Sequence, residues 1–164
     1  MLITTLASMS AAMLFLLAMI YVTISDLRTR RIPNWPVIAL GVAYLPLAWV
    51  AGHSALDISI NIGVGAAVFV AGVVLFAKGW IGGGDVKLAA VSVIWLGAGL
   101  ALPYILLTSL FGAGFALAGL FGIHLLARSG RGDGRPVDGR MPYAPGMACA
   151  GLLLLQISPW ANAL

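Results

Sequence analysis

Gly79-Trp80-Ile81-Gly82-Gly83-Gly84-Asp85-Val86-Lys87 is a polar, glycine-rich stretch between two long apolar runs. Three consecutive glycines leave a length of backbone without side-chain cover, and an aspartate follows at once. Such backbone reaches dihedrals closed to other residues and lets another chain approach without a side-chain clash. An extended partner could pair with it by strand addition. An aspartate beside hydrocarbon is costly unless it is paired, neutral or facing a wet cavity. The stretch therefore marks a break between membrane helices and the first place to look for polar chemistry.

The rest of the chain supports a membrane reading. Of 164 residues, 62% are hydrophobic and 9% charged, against about 25% charged in a soluble domain. Apolar runs cover about Leu2 to Ile24, Pro36 to Ala51, Ile58 to Ala77, Val86 to Leu100, Tyr104 to Ala127 and Tyr143 to Trp160. The expected fold is all-α: one membrane-embedded domain over residues 1–164 with six transmembrane helices. The first run lacks a basic segment before it and exceeds a signal-peptide core, so it reads as a retained helix. Pro33 and Pro36 separate the first two spans, and Pro46 is a candidate kink. Gly63, Gly65 and Gly72 in the third span, and Gly112, Gly114, Gly119 and Gly122 in the fifth, suit close helix packing. Trp35, Trp49, Trp80 and Trp160 fall near span ends as in an aromatic belt, whereas Trp95 lies deeper and is expected to pack on a helix.

Charge orients these spans. Arg28, Arg30 and Arg31 follow the first run, Lys78 and Lys87 flank the glycine stretch, and Arg128, Arg131, Arg135 and Arg140 follow the fifth. These are all nine basic residues, and the alternate connections hold none. The positive-inside rule then places the odd-numbered connections in the cytoplasm and both termini outside it. The net charge of +4 reports these basic loops and calls for no nucleic acid.

The inventory of reactive groups is short. There is no glutamate, and the aspartates are Asp26, Asp57, Asp85, Asp133 and Asp138. The single cysteine, Cys149, excludes an internal disulfide and a cysteine-based zinc site, and it reads as a core residue. His53 and His124 lack metal-binding spacing; His53 reads as a surface residue and His124 as packed or interfacial. Asp133 and Asp138 alternate with arginines in a glycine-rich loop and read as solvated.

Asp26 and Asp85 fall at the same face and similar depth. Two carboxylates sharing one proton split their titrations, which leaves one ionised and one protonated. That is the state in which one carboxylate activates water while the other polarises a carbonyl. A structural reading stands beside this one. Asp26 can be neutralised by Arg28 or Arg30, and Asp85 can cap the fourth helix. Asp57 reads as a cap of the third. Lys87 reads either as a positive-inside anchor or as a charge that favours ionised Asp85.

Three segments together resemble the type IV prepilin peptidase family, the membrane aspartic peptidases with a GxGD motif. They are Asp26 with Arg30-Arg31-Ile32-Pro33-Asn34, then Gly82-Gly83-Gly84-Asp85-Val86-Lys87-Leu88, then Pro142-Tyr143-Ala144-Pro145-Gly146. The short branch tied to Flp (tight adherence) pili is most similar. The resemblance implies that Asp26 and Asp85 are the catalytic pair. It implies that Gly82, Gly83, Gly84, Lys87, Pro33, Asn34, Pro142 and Tyr143 shape the site or bind substrate. The implied substrate is a prepilin with a short basic leader and an apolar helix, cut at the cytoplasmic face of the inner membrane. Membrane lipids and the pilus assembly machinery are the other implied partners. The first loop is short and without cysteine, unlike the methylating members, so no methyltransferase activity, S-adenosylmethionine or metal is expected. Pro-Tyr-Ala-Pro stands where the family pattern leads one to expect Pro-Tyr-Gly. The competing readings are an ion- or proton-coupled transporter using the same aspartates and a non-catalytic membrane subunit of a secretion system. A presenilin-like protease would need a Tyr-Asp partner motif, and here Ser25 precedes Asp26.

Overall fold

The computed structural model describes residues 1–128 and 143–161, without the side chains of 119–128. Pro142, Asp133, Asp138 and the side chain of His124 lie outside the described residues. The described chain is all-helical, with six α-helices: α1 (Leu2–Thr29), α2 (Asn34–Val50), α3 (Ala55–Ala77), α4 (Gly83–Leu96), α5 (Ala101–Arg128) and α6 (Ala144–Leu155). Three helical segments, Leu2–Thr29, Ala55–Ala77 and Ala98–Ala118, are long and apolar enough to cross a membrane. α2 and α6 are shorter apolar helices.

The bundle is built as lipid solvent requires. Leu6, Met13, Leu17, Val42, Val70, Leu106 and Leu110 are exposed on its outside. The buried faces of the long helices carry small and polar residues, among them Ala7, Ser8 and Ala11 on α1 and Asn61, Gly65 and Gly72 on α3. Close packing of small surfaces replaces the hydrophobic drive that is missing between helices in hydrocarbon. Gly65 and Gly72 face α4, and a Cβ on Gly72 would lie 2.6 Å from Val86 Cγ1. Gly112 meets α6, where a Cβ on Gly146 would lie 2.9 Å from the Gly112 nitrogen. Gly63 and Gly114, also read as packing glycines, have nothing within 4 Å of a Cβ.

α4 is buried on nearly every side, with Leu88, Val91, Ser92, Val93, Trp95 and Leu96 all in the interior. It is the post around which the other helices stand. Its C-terminal end would leave orphan carbonyls in the core. Gly97 stops it with φ 92 and ψ 151, a conformation suited to glycine. The Trp160 indole N–H donates to the Trp95 carbonyl at 2.6 Å. The Ala98 N–H donates to Asn61 Oδ1 at 2.8 Å, while Asn61 Nδ2 donates to the Tyr44 hydroxyl at 3.0 Å. Trp95 in turn donates to the Leu40 carbonyl at 3.1 Å, as expected of a deep packing residue.

Several sequence expectations need correction. Trp160 is not a belt residue: it is fully buried, with its ring 5.2 Å from that of Trp95. Cys149 is exposed on the outside of α6 rather than in the core. His53 is half-buried against Trp160 at 4.6 Å, and burial pushes its pKa down while the charge of Asp57 opposes that. The cap of α3 is Ser54, not Asp57: Ser54 Oγ accepts the Asp57 N–H at 3.0 Å and donates to Asp57 Oδ2 at 2.6 Å. α1 runs to Thr29, past the Ile24 end of the first apolar run, and holds Asp26 in its last turns.

Candidate active site

The position of Asp26 follows from helical periodicity. The buried stripe of α1 runs Ala11, Phe15, Met19, Val22, Asp26, and steps of three and four keep it on one face. Asp26 is its last member and is only 6% exposed. The helix ends just beyond it. Arg30 takes a left-handed conformation (φ 53, ψ 32), and its N–H closes on the Asp26 carbonyl at 2.8 Å. This is the αL stop that glycine usually supplies.

After that stop the chain turns back across α4. Ile32 covers Gly84 so closely that a Cβ on Gly84 would stand 2.9 Å from Ile32 Cβ. Pro33 is the N-cap of α2, and Asn34 Oδ1 accepts a hydrogen bond from Lys87 Nζ at 3.0 Å. Pro33, Asn34 and Lys87 thus tie the α1–α2 connection to α4 and do not line the cavity. Lys87 is engaged with Asn34 rather than with Asp85.

Asp85 lies in the first turn of α4, ahead of the apolar run from Val86 and outside the three long apolar segments. Gly82, not Asp85, is the N-cap. The Asp85 carboxylate folds back to accept the Gly82 N–H, the reciprocal half of a capping box. A Cβ on Gly82 would lie 2.7 Å from Asp85 Oδ2, so glycine makes this return possible. Burial, and then the charge of Asp26, push the Asp85 carboxyl up to about 6, against the pull of the Gly82 N–H.

Asp26 and Asp85 face one cavity of about 660 Å³. Gly82, Gly83, Gly84 and Tyr143 line it too, as do Arg30 and Arg31. Its remaining wall is apolar, from Ile32, Phe76, Trp80 and Ile81. Phe76 rests on Gly83, where a Cβ would be 3.3 Å from the ring. A contact not foreseen from sequence completes the site: the Ala144 N–H donates to Asp26 Oδ2 at 3.1 Å. The N-terminus of α6 is a natural anion site. The signal for it is Pro145, early in the helix, with Gly146 lying on Gly112 to bring the terminus in. Tyr143 packs on Gly112 beside it. A second cavity, about 740 Å³, opens at the other end of the bundle around His53, Ser54, Asp57 and Asn61. Its carboxylate, Asp57, is already tied to Ser54.

A cavity that joins two carboxylates, exposed glycine backbone and an apolar wall suits hydrolysis of an extended peptide at a membrane boundary. Compared with curated proteins and with solved structures, the chain shows no match. The model of the type IV leader peptidase family matches residues 13–117, well over half of the 164, and that span includes both cavity aspartates. By that match, the chain belongs to the type IV leader peptidase family, a family of membrane peptidases.

Proposed function

We propose that this protein is an aspartic endopeptidase that removes the short basic leader of Flp-type prepilins at the cytoplasmic face of the inner membrane. The observation that carries the reading is the convergence of Asp26 and Asp85, far apart in sequence, on one glycine-walled cavity. In this reading the six apolar runs span the bilayer, the fourth from Val86, both termini lie outside the cytoplasm, and residues 1–164 act as one domain. Family membership favours a peptidase over a transporter.

The chemistry divides between the two carboxylates. Asp85 is the proton donor of this reading, and its pKa, raised to about 6, keeps a share of it protonated toward neutral pH. Asp26 accepts the Ala144 N–H and takes the ionised role. Asp26 removes a proton from a water as its oxygen bonds to the scissile carbonyl carbon, while Asp85 protonates the carbonyl oxygen. Collapse of the tetrahedral adduct breaks the C–N bond, and the amine leaves with a proton from Asp26. The adduct's hydroxyl returns the other proton to Asp85. The products are a leader carboxylate and a free N-terminus. Gly82, Gly83 and Gly84 give the substrate backbone room to approach.

The test is leader release from a pilin precursor by purified protein in detergent, followed by mass spectrometry. Wild type is expected to cleave. Asp26→Asn and Asp85→Asn, folded by circular dichroism, are expected to lose at least a hundred-fold in rate, a scale set by general acid–base catalysis of about 10²–10⁴. Asp57→Asn retains activity. Cleavage at the wild-type rate by either cavity variant refutes the dyad. A folded wild type that cleaves no precursor points to the non-catalytic subunit.

A further inference from the structure

We infer that the hydroxyls of Ser92, Tyr104 and Thr108 hold a water molecule inside the bundle, on the core side of Asp85, and that Tyr104 positions the Asp85 carboxyl through it. The water site stands on the packing of the helices alone, and the positioning role rests on the peptidase reading.

The faces that meet lead there. Asp85 and Ser92 are seven residues apart on α4, close to two turns, so they share one face, and Leu88 between them is fully buried. Tyr104 and Thr108 are about one turn apart on α5 and share a face in the same way. Ser92 and Thr108 both lie within reach of the Tyr104 hydroxyl, and the charge of Asp85 acts on it. Ser92 and Tyr104 have no exposed surface. Gly151 of α6 closes the cluster: a Cβ there would lie 3.2 Å from the Phe15 ring and 3.8 Å from Tyr104 Cε2.

Hydrogen bonding shows what the cluster takes. The hydroxyls of Ser8, Ser10 and Ser109 bond the carbonyl four residues back on their own helices. Those of Ser92 and Thr108 do not. Among the described residues, Ser92 Oγ, Tyr104 Oη and Thr108 Oγ1 are buried without a hydrogen-bond partner, although they stand near one another. A buried hydroxyl left in that condition costs free energy, and three together would be worse than an apolar filling. They are instead the lining that a buried water needs, since such a water takes two to four polar partners. The water also has a use. The Gly82 N–H binds the Asp85 carboxyl from one side. A water on the core side donates from the other, and a carboxyl held from two sides keeps one orientation toward the cavity.

The experiment has two readouts. Radiolytic footprinting in oxygen-18 water labels side chains that touch bound water as well as those at the surface. In detergent-solubilised protein, Tyr104 is expected to take up the label although it is fully buried. Trp95, also buried and bonded to the Leu40 carbonyl, is expected to stay unlabelled. Ser92→Ala combined with Thr108→Val is expected to remove the label from Tyr104. The second readout is leader release. Tyr104→Phe is expected to lower kcat about ten-fold with KM unchanged, less than the roughly hundred-fold that a 1 Å misplacement costs. Ser92→Ala, which takes one partner from the same water, is expected to show the same split. Tyr104→Phe also lowers Tm, because it breaks a bond to the water, whereas removing an unsatisfied hydroxyl would raise it. A Tyr104 labelled no more than Trp95, or a Tm raised by Tyr104→Phe, overturns the water site. A labelled Tyr104 with kcat unchanged in both variants overturns the positioning role. Failure of the peptidase reading appears separately, as a wild type that takes the label and cleaves no precursor.

Discussion

At the scale of single residues, the site depends on contacts that leave no space for change. Gly84 lies under Ile32, so a methyl group there must push the α1–α2 connection away from α4. Gly84→Ala is expected to cost about 1–3 kcal/mol, the range for overpacking, read as a lowered Tm in detergent, and to slow leader release. An unchanged Tm would mean that Ile32 yields freely. Asp85 supports a prediction in pH. Its folded pKa is about 6 against an ordinary 3.8. The folded protein therefore holds this proton more tightly than the unfolded chain, and stability is lost as pH rises from about 4 through about 6. Asp85→Asn mimics the protonated form and escapes that loss. Its Tm is expected to lie close to wild type near pH 4 and to exceed it above pH 6 by roughly 6–12 °C, from about 3 kcal/mol for the shift at about 2–4 °C per kcal/mol. A gap that is constant with pH would show that Asp85 is not the proton holder.

At the scale of elements, α4 is held at both ends by groups remote in sequence. Its N-terminal turn is crossed by the α1–α2 connection through Ile32 and the Asn34–Lys87 bond. Its C-terminal end is satisfied by Trp160 and, one residue past Gly97, by Asn61. Trp160→Phe keeps the aromatic packing but leaves the buried Trp95 carbonyl without its donor. The expected loss is about 1–3 kcal/mol, measured by thermal unfolding. A smaller effect than Ser54→Ala, which removes an exposed cap worth about 1 kcal/mol, would show that another donor replaces the indole.

At the scale of the whole molecule, the orientation in the membrane can be tested with thiols. In a Cys149→Ser background, Ser54→Cys is expected to react with a membrane-impermeant maleimide on intact cells. Lys78→Cys is expected to react only after permeabilisation. The reverse pattern would invert the topology and move the acidic cavity to the other face.

Much of this architecture can be read from the chain alone. Apolar runs mark helices because a bilayer leaves backbone groups no other partner, and each of the six expected spans overlaps a helix over most of its length. The match is poorest at the last, where α6 covers Ala144–Leu155 of the run from Tyr143 to Trp160. The short list of acids singles out Asp26 and Asp85, and the motif segments point to the family that the match over residues 13–117 establishes. Helix ends are less legible, since Asp26 and Arg28 look like loop residues while local backbone bonding keeps them helical to Thr29. Hydropathy gives no facing, so an apolar Cys149 lies outside and a terminal Trp160 lies at the centre. Only the tertiary structure places the Ala144 N–H on Asp26, Lys87 on Asn34 and the two arginines at the cavity. The physical reason is range. Helix formation is set by neighbours within a few turns, whereas these contacts join segments up to 118 residues apart and exist only once the helices have packed.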